Sequence, residues 1–303
     1  MPPLSPTRRS APLADAGFGA HAPSARLGHL IRLAQSAPRN WLGQQFAQLV
    51  RALVLRRHAL PLDVVVGRLR LRCWLRDNHS ERKFVFMPWR FDAEERRLIV
   101  QALGPDGTFV DIGANVGLYT LDIATQLGPR GRVLALEPHP PTFERLRFNV
   151  QATLADRPDG PRVQIERLGV HDAGGELRLH LDPGNLGGSS LLPRGRSGAD
   201  AGAATRPEAP VSTVSCRPLA QILDAQGIER VDAIKIDIEG AEDSALMDYL
   251  RHQPEARLPV CLVIENSEHL WRQDLPAALH ARGFRPQHRS RLNTVYCRAR
   301  APA

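Results

Sequence analysis

Cysteine and aromatic residues are both scarce in this chain. Four cysteines occur among 303 residues, and aromatics make up 5 %. Cys73, Cys216, Cys261 and Cys297 lie far apart. They therefore exclude the close Cys/His pairs of zinc and redox sites and read as isolated thiols of a reducing compartment, the cytoplasm by default. No apolar run approaches the roughly 20 residues that cross a bilayer. Proline and alanine follow Arg8 and Arg9 where a secretory signal would have a continuous apolar core, so no signal peptide is expected. Net charge is +8, carried mostly by arginine. These arginines are scattered rather than gathered with interleaved aromatics, and a nucleic-acid partner is not expected.

Two motifs are also missing. The dinucleotide fingerprint G-x-G-x-x-G is broken in the stretch Thr108-Phe-Val-Asp-Ile-Gly-Ala-Asn-Val-Gly-Leu-Tyr-Thr120, where Asn115 replaces the second glycine and Leu118 the third. A nicotinamide dehydrogenase is disfavoured on that ground. The Asn/Asp-Pro-Pro-aromatic signature of amino-methylating enzymes is absent from Asp237-Ile-Glu-Gly240.

What remains around these gaps is informative. Phe109-Val110 is a short apolar run that reaches Asp111, passes Gly113 and Gly117, and enters the helical pattern Leu118 to Ala124. This reads as a strand, a turn and a helix, and open α/β sheets bind ligands at such turns. Asp111 at the strand end would repel a pyrophosphate and suits a cationic or hydroxyl-rich ligand. Arg132-Val-Leu-Ala-Leu-Glu-Pro138 reads as the next strand, ending in Glu137. An acid there, about 20 residues on, accepts the ribose hydroxyls of a nucleoside. A nucleoside without phosphates, beside an acidic turn, points to S-adenosylmethionine.

Val110-Asp-Ile-Gly-Ala-Asn-Val-Gly-Leu-Tyr-Thr120, Ala135-Leu-Glu-Pro138 and Ile234-Lys-Ile-Asp-Ile-Glu-Gly-Ala-Glu242 together resemble the FkbM family of S-adenosylmethionine-dependent methyltransferases, over roughly Phe84 to Tyr296. The resemblance implies a class-I methyltransferase: a Rossmann-like α/β fold with a doubly wound, mostly parallel seven-stranded sheet. It also implies O-methylation of a hydroxyl on a sugar, glycan or natural product. The cofactor-binding residues expected are Asp111, Gly113, Asn115, Gly117 and Glu137, with Asp172 on the adenine side. A nucleic-acid methyltransferase and a non-catalytic module retaining the fold are the rival readings.

Around this core, residues 1–25, rich in Pro, Ala and Ser, are expected to be a disordered tail. Residues 26–60 carry apolar residues at helical spacing and are expected to form accessory amphipathic helices broken near Pro38, packed on the core or closing over a substrate, with a membrane surface as the alternative. Residues 61–104 hold short strands, Lys83-Phe-Val-Phe86 among them, and a helix ending at Gly104-Pro105. The methyltransferase domain spans 105–298, with Arg162 to Val170 as its third strand and a low-complexity, mobile loop at 193–210.

Methyl transfer to a hydroxyl needs donor and acceptor in line and a base or metal to lower the hydroxyl pKa. The candidates are Asp237 and Glu239 as general bases. Alternatively Asp237, Glu265 and Asn266 hold Mg²⁺, or Glu239 merely caps the next helix. No dedicated metal site is assigned. The resemblance implies that Trp89, Arg90 and Phe91 flank the acceptor entrance, where they would stack on a sugar face or bind an anionic group; the alternative is a packed aromatic pair with a surface arginine. The acceptor itself, a small-molecule or carbohydrate hydroxyl, is not encoded in any motif.

Overall fold

The computed structural model describes residues 16–58, 60–182, 184–192 and 210–299. The expected tail at 1–15 and the loop at 193–209 lie outside the described residues.

The chain opens with α1 (Ala25–Gln35) and α2 (Trp41–Arg57), each started by a polar cap. Ser24 accepts from the Leu27 amide and Asn40 from the Gly43 amide, which satisfies one of the free amides of each first turn. In α2 the buried residues Gly43, Ala47, Val50 and Val54 recur at helical spacing and mark the face turned to the core. A hairpin of β1 (Leu62–Val66) and β2 (Leu69–Cys73) follows, then α3 (His79–Phe86) and α4 (Ala93–Leu103).

Helix α3 corrects the expectation of a strand at Lys83–Phe86. The apolar run Phe84-Val-Phe86 is buried on every side, so it shows neither periodicity. The deciding signal is Asn78, whose side chain accepts from the Glu81 amide at 3.1 Å and starts a helix.

The remaining elements are β3 (Thr108–Ile112), α5 (Leu118–Ala124), β4 (Arg132–Leu136), α6 (Pro140–Leu154), β5 (Arg162–Glu166), β6 (Gly169–Val170), β7 (Gly175–His180), β8 (Val211–Arg217), α7 (Leu219–Ala225), β9 (Ala233–Ile236), α8 (Glu242–His252), β10 (Cys261–Glu265), α9 (Leu275–Ala281), β11 (Arg285–Arg289) and β12 (Asn293–Cys297). Seven strands form one sheet in the order β11-β12-β10-β9-β3-β4-β5. Strand β12 runs antiparallel to both neighbours, and the other pairings are parallel. This is the mostly parallel, doubly wound sheet of class-I methyltransferases. The expected third strand is divided: β5 ends at Glu166, and β6 joins a separate three-stranded sheet with β8 and β7.

Both faces of the large sheet are covered. Phe109, Val133, Ala233, Val263 and Val295 point into a core shared with α1 to α5. Val110, Ile112, Leu134, Ile234, Ile236 and Leu262 point the other way, into a core with α7, α8 and α9. Strands buried on both sides read as nearly continuous apolar runs, which is how these stretches appear in the sequence.

The hairpin is pinned by a buried ion pair. Asp63 faces Arg72 across the β1–β2 ladder, and the guanidinium donates to both carboxylate oxygens at 2.7 and 2.9 Å. Arg72 also donates to the carbonyls of Ala16 and Gly17, and Asp63 accepts from the amides of Gly19 and His21. The Phe148 ring lies 3.9 Å from the guanidinium carbon. Residues 16–24, expected to belong to the loose tail, are therefore tied to the hairpin. Replacing one partner of such a pair strands a buried charge, so Arg72→Ala should cost about 3–5 kcal/mol in urea denaturation. A loss below about 1 kcal/mol, typical of an exposed pair, would contradict this account.

Candidate active site

Register brings the charged residues together. In β3 and β9 Asp111 lies beside Lys235, and in β3 and β4 it lies beside Ala135. In β10 Val263 lies beside Lys235. Side chains alternate along strands, so positions two residues on keep the same face. Glu137 follows Ala135, Asp237 follows Lys235, and Glu265 follows Val263. Five ionisable residues thus share one sheet face at the carboxyl ends of four adjacent strands. Chain order runs outward from β3 through β4 in one direction and from β9 through β10 in the other, and this reversal is where such sheets hold ligands. A cavity of about 890 Å³ opens there, lined by all five.

The turn after β3 is built from exceptional backbone. Gly113 has φ +74, and a Cβ there would stand 2.0 Å from the Asp237 carbonyl oxygen. Only glycine fits. Asn115 takes φ 52, a left-handed conformation that asparagine tolerates better than most residues. Its amide donates to Glu137 at 2.9 Å, and the other Glu137 oxygen accepts from the His139 amide. Asp111 ties the turn to α5 by accepting from the Thr120 amide and hydroxyl. Its second oxygen is buried without a hydrogen bond and faces the Lys235 ammonium at 3.8 Å. Gly117 has φ +90, and a Cβ there would meet Leu146 at 2.6 Å. Gly117 packs α5 onto α6 and does not line the cavity.

Lys235 is the centre of this arrangement. Its ammonium donates to the Gly113 carbonyl at 3.2 Å and stands 3.4 Å from Asp237. Burial alone would lower its pKa, but the carboxylates of Asp237 and Asp111 outweigh that and hold it above the ordinary lysine value. The carboxylates of Asp237, Glu239 and Glu265 approach within 4.8 Å of one another. Burial, followed by repulsion from Asp237, Glu239 and Glu242, pushes Glu265 up to about 9. Burial raises Glu137 to about 7, against two backbone hydrogen bonds that pull it down. The cavity wall is therefore short of positive charge and favours a cation.

Glu239 has φ 57, a costly conformation for a residue with a Cβ. It does not cap α8 as one reading expected. No side chain caps α8; Glu242, its first residue, instead holds the preceding turn by accepting from the Ile238 and Gly240 amides, and it also accepts from the Trp271 indole.

Asp172 is not brought to the site. It lies beyond the cavity lining, turned to its own turn through the Ala173 amide and to the His171 ring. The break between β5 and β6 carries it away. Leu168, Gly169 and Val170 do line the cavity on that side. Asn266 is spent on the Ser290 carbonyl and Thr294 hydroxyl and is not available to a metal. Of the aromatic group, Phe91 packs between Phe84 and Tyr119, while Trp89 and Arg90 line the cavity.

Two residues were not counted among the site residues in the sequence reading. Lys235 had a signal, since the chain's two lysines, Lys83 and Lys235, both line this cavity. Asn78 had none. It is fully buried, and while one amide atom caps α3, the other donates to the Asn115 side chain at 2.9 Å. The turn is thus gripped from outside the sheet.

These residues fit the cofactor expected from the sequence. Each Glu137 oxygen accepts one backbone bond and has lone-pair capacity left for ribose hydroxyls. The acidic wall complements a sulfonium, and the crowded, acidic turn has no place for a pyrophosphate. Fold and site define a class-I, S-adenosylmethionine-dependent methyltransferase. Residues 111–286 match the model of the methyltransferase FkbM domain, and the chain belongs to the FkbM methyltransferase family.

Among curated relatives, it is similar to the AMB antimetabolite synthetase AmbE of Pseudomonas aeruginosa, at 30 % identity over 48 % of this chain and 8 % of that one. It is also similar to the methyltransferase sdnD of Sordaria araneosa, at 32 % identity over 44 % of this chain and 56 % of that one. The hexuronic acid methyltransferase AglP of Haloferax volcanii is 23 % identical over 48 % of this chain and 51 % of that one. The chain thus spans little more than half of the fungal and archaeal relatives and a small part of AmbE. Among solved structures, the N-terminal domain of EvdMO1 with S-adenosylhomocysteine bound aligns at 16 % identity over 70 % of this chain and 84 % of that one, with a TM-score of 0.37.

Two outcomes follow from this geometry. Asn78→Ser keeps a capping oxygen but loses the donor to Asn115. Stability should fall by about 1–3 kcal/mol, the cost of leaving a buried acceptor unpaired, and S-adenosylhomocysteine affinity should fall as well because the Asn115 turn is loosened. Unchanged affinity in titration calorimetry would remove Asn78 from the site.

Glu265 generates a pH dependence. Its folded pKa of about 9 lies above the reference value of 4.5, so the folded state pays no penalty below that reference and a growing one as pH rises toward the folded value. Glu265→Gln should therefore raise the melting temperature, by the equivalent of on the order of 2 kcal/mol near pH 8 and hardly at all near pH 5. A pH-independent difference in thermal scans would refute the assignment.

Proposed function

We propose that the protein transfers the methyl group of S-adenosylmethionine to a hydroxyl of a sugar, glycan or natural-product small molecule. The observation that carries this reading is the convergence of Asp237, Glu239 and Glu265 beside Lys235 at the cavity wall. A hydroxyl must shed its proton as the new bond forms, and an adjacent carboxylate is a suitable acceptor for it. Asp237 is the candidate base: it lines the cavity, and its side chain is 37 % exposed, within reach of an entering acceptor. Glu239 stands beside it as the second candidate.

In this reading Glu137 holds the ribose, and Asn115 and Gly113 shape the turn against the cofactor. Leu168, Gly169 and Val170 flank the adenine, and Lys235 fixes Asp111 and Asp237. The cofactor supplies the electrophilic methyl, and the protein supplies alignment and a proton acceptor. The relative named as a hexuronic acid methyltransferase supports a sugar acceptor. Arg90 and Arg291 on the cavity rim suit an acceptor with a carboxylate.

Three converging carboxylates also favour a second reading, in which Asp237, Glu239 and Glu265 hold Mg²⁺. Hard oxygen ligands suit that ion. Against it, the Lys235 ammonium already stands against Asp237, and Glu265 is pushed toward its protonated form.

The two readings separate in a methyl-transfer assay on uronic acids, neutral sugars and phenolic compounds, with and without EDTA. Activity should survive EDTA. Asp237→Asn should lower kcat by about 10²–10⁴ while S-adenosylmethionine affinity stays within about threefold, and Glu137→Ala should abolish binding of both adenosyl ligands. Loss of turnover with EDTA and its rescue by Mg²⁺ would establish the metal reading. Full activity in Asp237→Asn would remove that residue as the base.

A further inference from the structure

Helix α2 shows an apolar face that no described residue covers. Trp41, Leu42 and Leu49 are 67 %, 66 % and 69 % exposed, and Phe46 is 37 % exposed. Leu42, Phe46 and Leu49 are spaced four and three residues apart, so they form one stripe along the helix, and Leu53 beyond them packs against the core. The stripe is distinct from the buried face of Gly43, Ala47, Val50 and Val54. On α1, which packs against α2, Leu33 is also exposed, at 42 %. Isolated exposed leucines need no explanation, but a contiguous patch marks a binding surface.

The charge around the patch is one-sided. Residues 16–62 contain Arg26, Arg32, Arg39, Arg51, Arg56 and Arg57 and not a single Asp or Glu. Arg39, Arg56 and Arg57 are exposed at the two ends of α2. An aromatic and aliphatic stripe bounded by arginines, with tryptophan at one end, has the composition of a helix lying in a lipid interface. A second copy of the chain is a poor occupant, because a two-fold interface would set this acid-free, arginine-bearing face against itself. A nucleic-acid backbone would cover the arginines but leave the stripe against phosphate.

We propose that the α1–α2 face docks the protein on an anionic lipid surface, with Trp41, Leu42, Phe46 and Leu49 entering the headgroup region and Arg39, Arg56 and Arg57 meeting the lipid phosphates. The docking face adjoins the site through α3, which packs against α1 and α2 and carries His79, Ser80 and Lys83 on the cavity lining.

The test is co-sedimentation of the full chain with phosphatidylcholine vesicles, with and without about 30 mol % phosphatidylglycerol. The expected result is binding to the anionic vesicles only, weakened about tenfold or more when salt rises from about 0.1 to 0.5 M. The double variant W41E/L49E and the triple variant R39Q/R56Q/R57Q should each lose about tenfold or more in vesicle affinity. S-adenosylhomocysteine binding should stay unchanged in both, which shows that they fold and separates failure of the docking from failure of the methyltransferase reading. No binding to anionic vesicles overturns the proposal and leaves an acidic protein as the occupant. Equal binding by W41E/L49E overturns it as well. So does a dimer in sedimentation velocity that W41E/L49E dissolves, which would assign the face to a second copy.

Discussion

The Lys235 ammonium, set between Asp111 and Asp237, is the interaction on which the site depends. Burying a lysine is unfavourable unless opposite charge and hydrogen bonds compensate. Here the two carboxylates and the Gly113 carbonyl do so. Asp111 and the Gly113 carbonyl are delivered by the pairing of β3 with β9 in one register, and Asp237 by the lysine's own strand. A shift of that register by one residue would send Asp111 and the ammonium to opposite faces of the sheet. The charge cluster and the strand order are therefore one constraint. The same contact draws the turn after β3 against the turn after β9, which is why Gly113 has no room for a Cβ.

Around this lysine the wall carries more negative than positive charge. Asp111, Asp237, Glu239, Glu265 and Glu137 face one buried ammonium, with Glu265 raised by burial and by its neighbouring carboxylates and Glu137 raised by burial. Such a wall is favourable to a sulfonium. The strained backbone at Glu239 belongs to the same wall, and strain persists where surrounding contacts over-determine it. Glu242 provides those contacts by holding the Ile238 and Gly240 amides from below.

Much of this was legible in the sequence because the signals were local. The strand–glycine–helix pattern from Thr108 and the acidic ends of two later strands are short-range features, and they fixed the sheet, the cofactor class and most of the wall. Four features were not legible in that way. Helix α3 was misread because a run buried on all sides has no periodicity. Asp172 was misplaced because a two-residue break after Glu166 transfers β6 to another sheet, and no composition marks that break. Asn78 and Lys235 act through partners 37 and 122 residues away, which only the folded chain reveals. Residues 16–24 looked like a polar, mobile tail, and nothing in them announces that Arg72 and Asp63 would bind their backbone.

The family match begins at Asp111, so α1 to α4 and the β1–β2 hairpin lie outside it. These elements are nevertheless part of the site. The Arg72–Asp63 pair fixes the hairpin, and Asn149 of α6 accepts from the Arg72 amide while donating to the Val116 carbonyl of the cofactor turn. Asn78 holds Asn115 in the same turn, and the backbone amide of His79 donates to Asn185 in the loop over the cavity. The extension therefore grips a turn whose left-handed residues would otherwise be free to relax. The charged residues of the site reside in the sheet, whereas the turn after β3 is held in addition by the segment that precedes it. A surface event at α1–α2 is separated from that turn by one helix, α3, whose first residues touch both the cavity and Asn115.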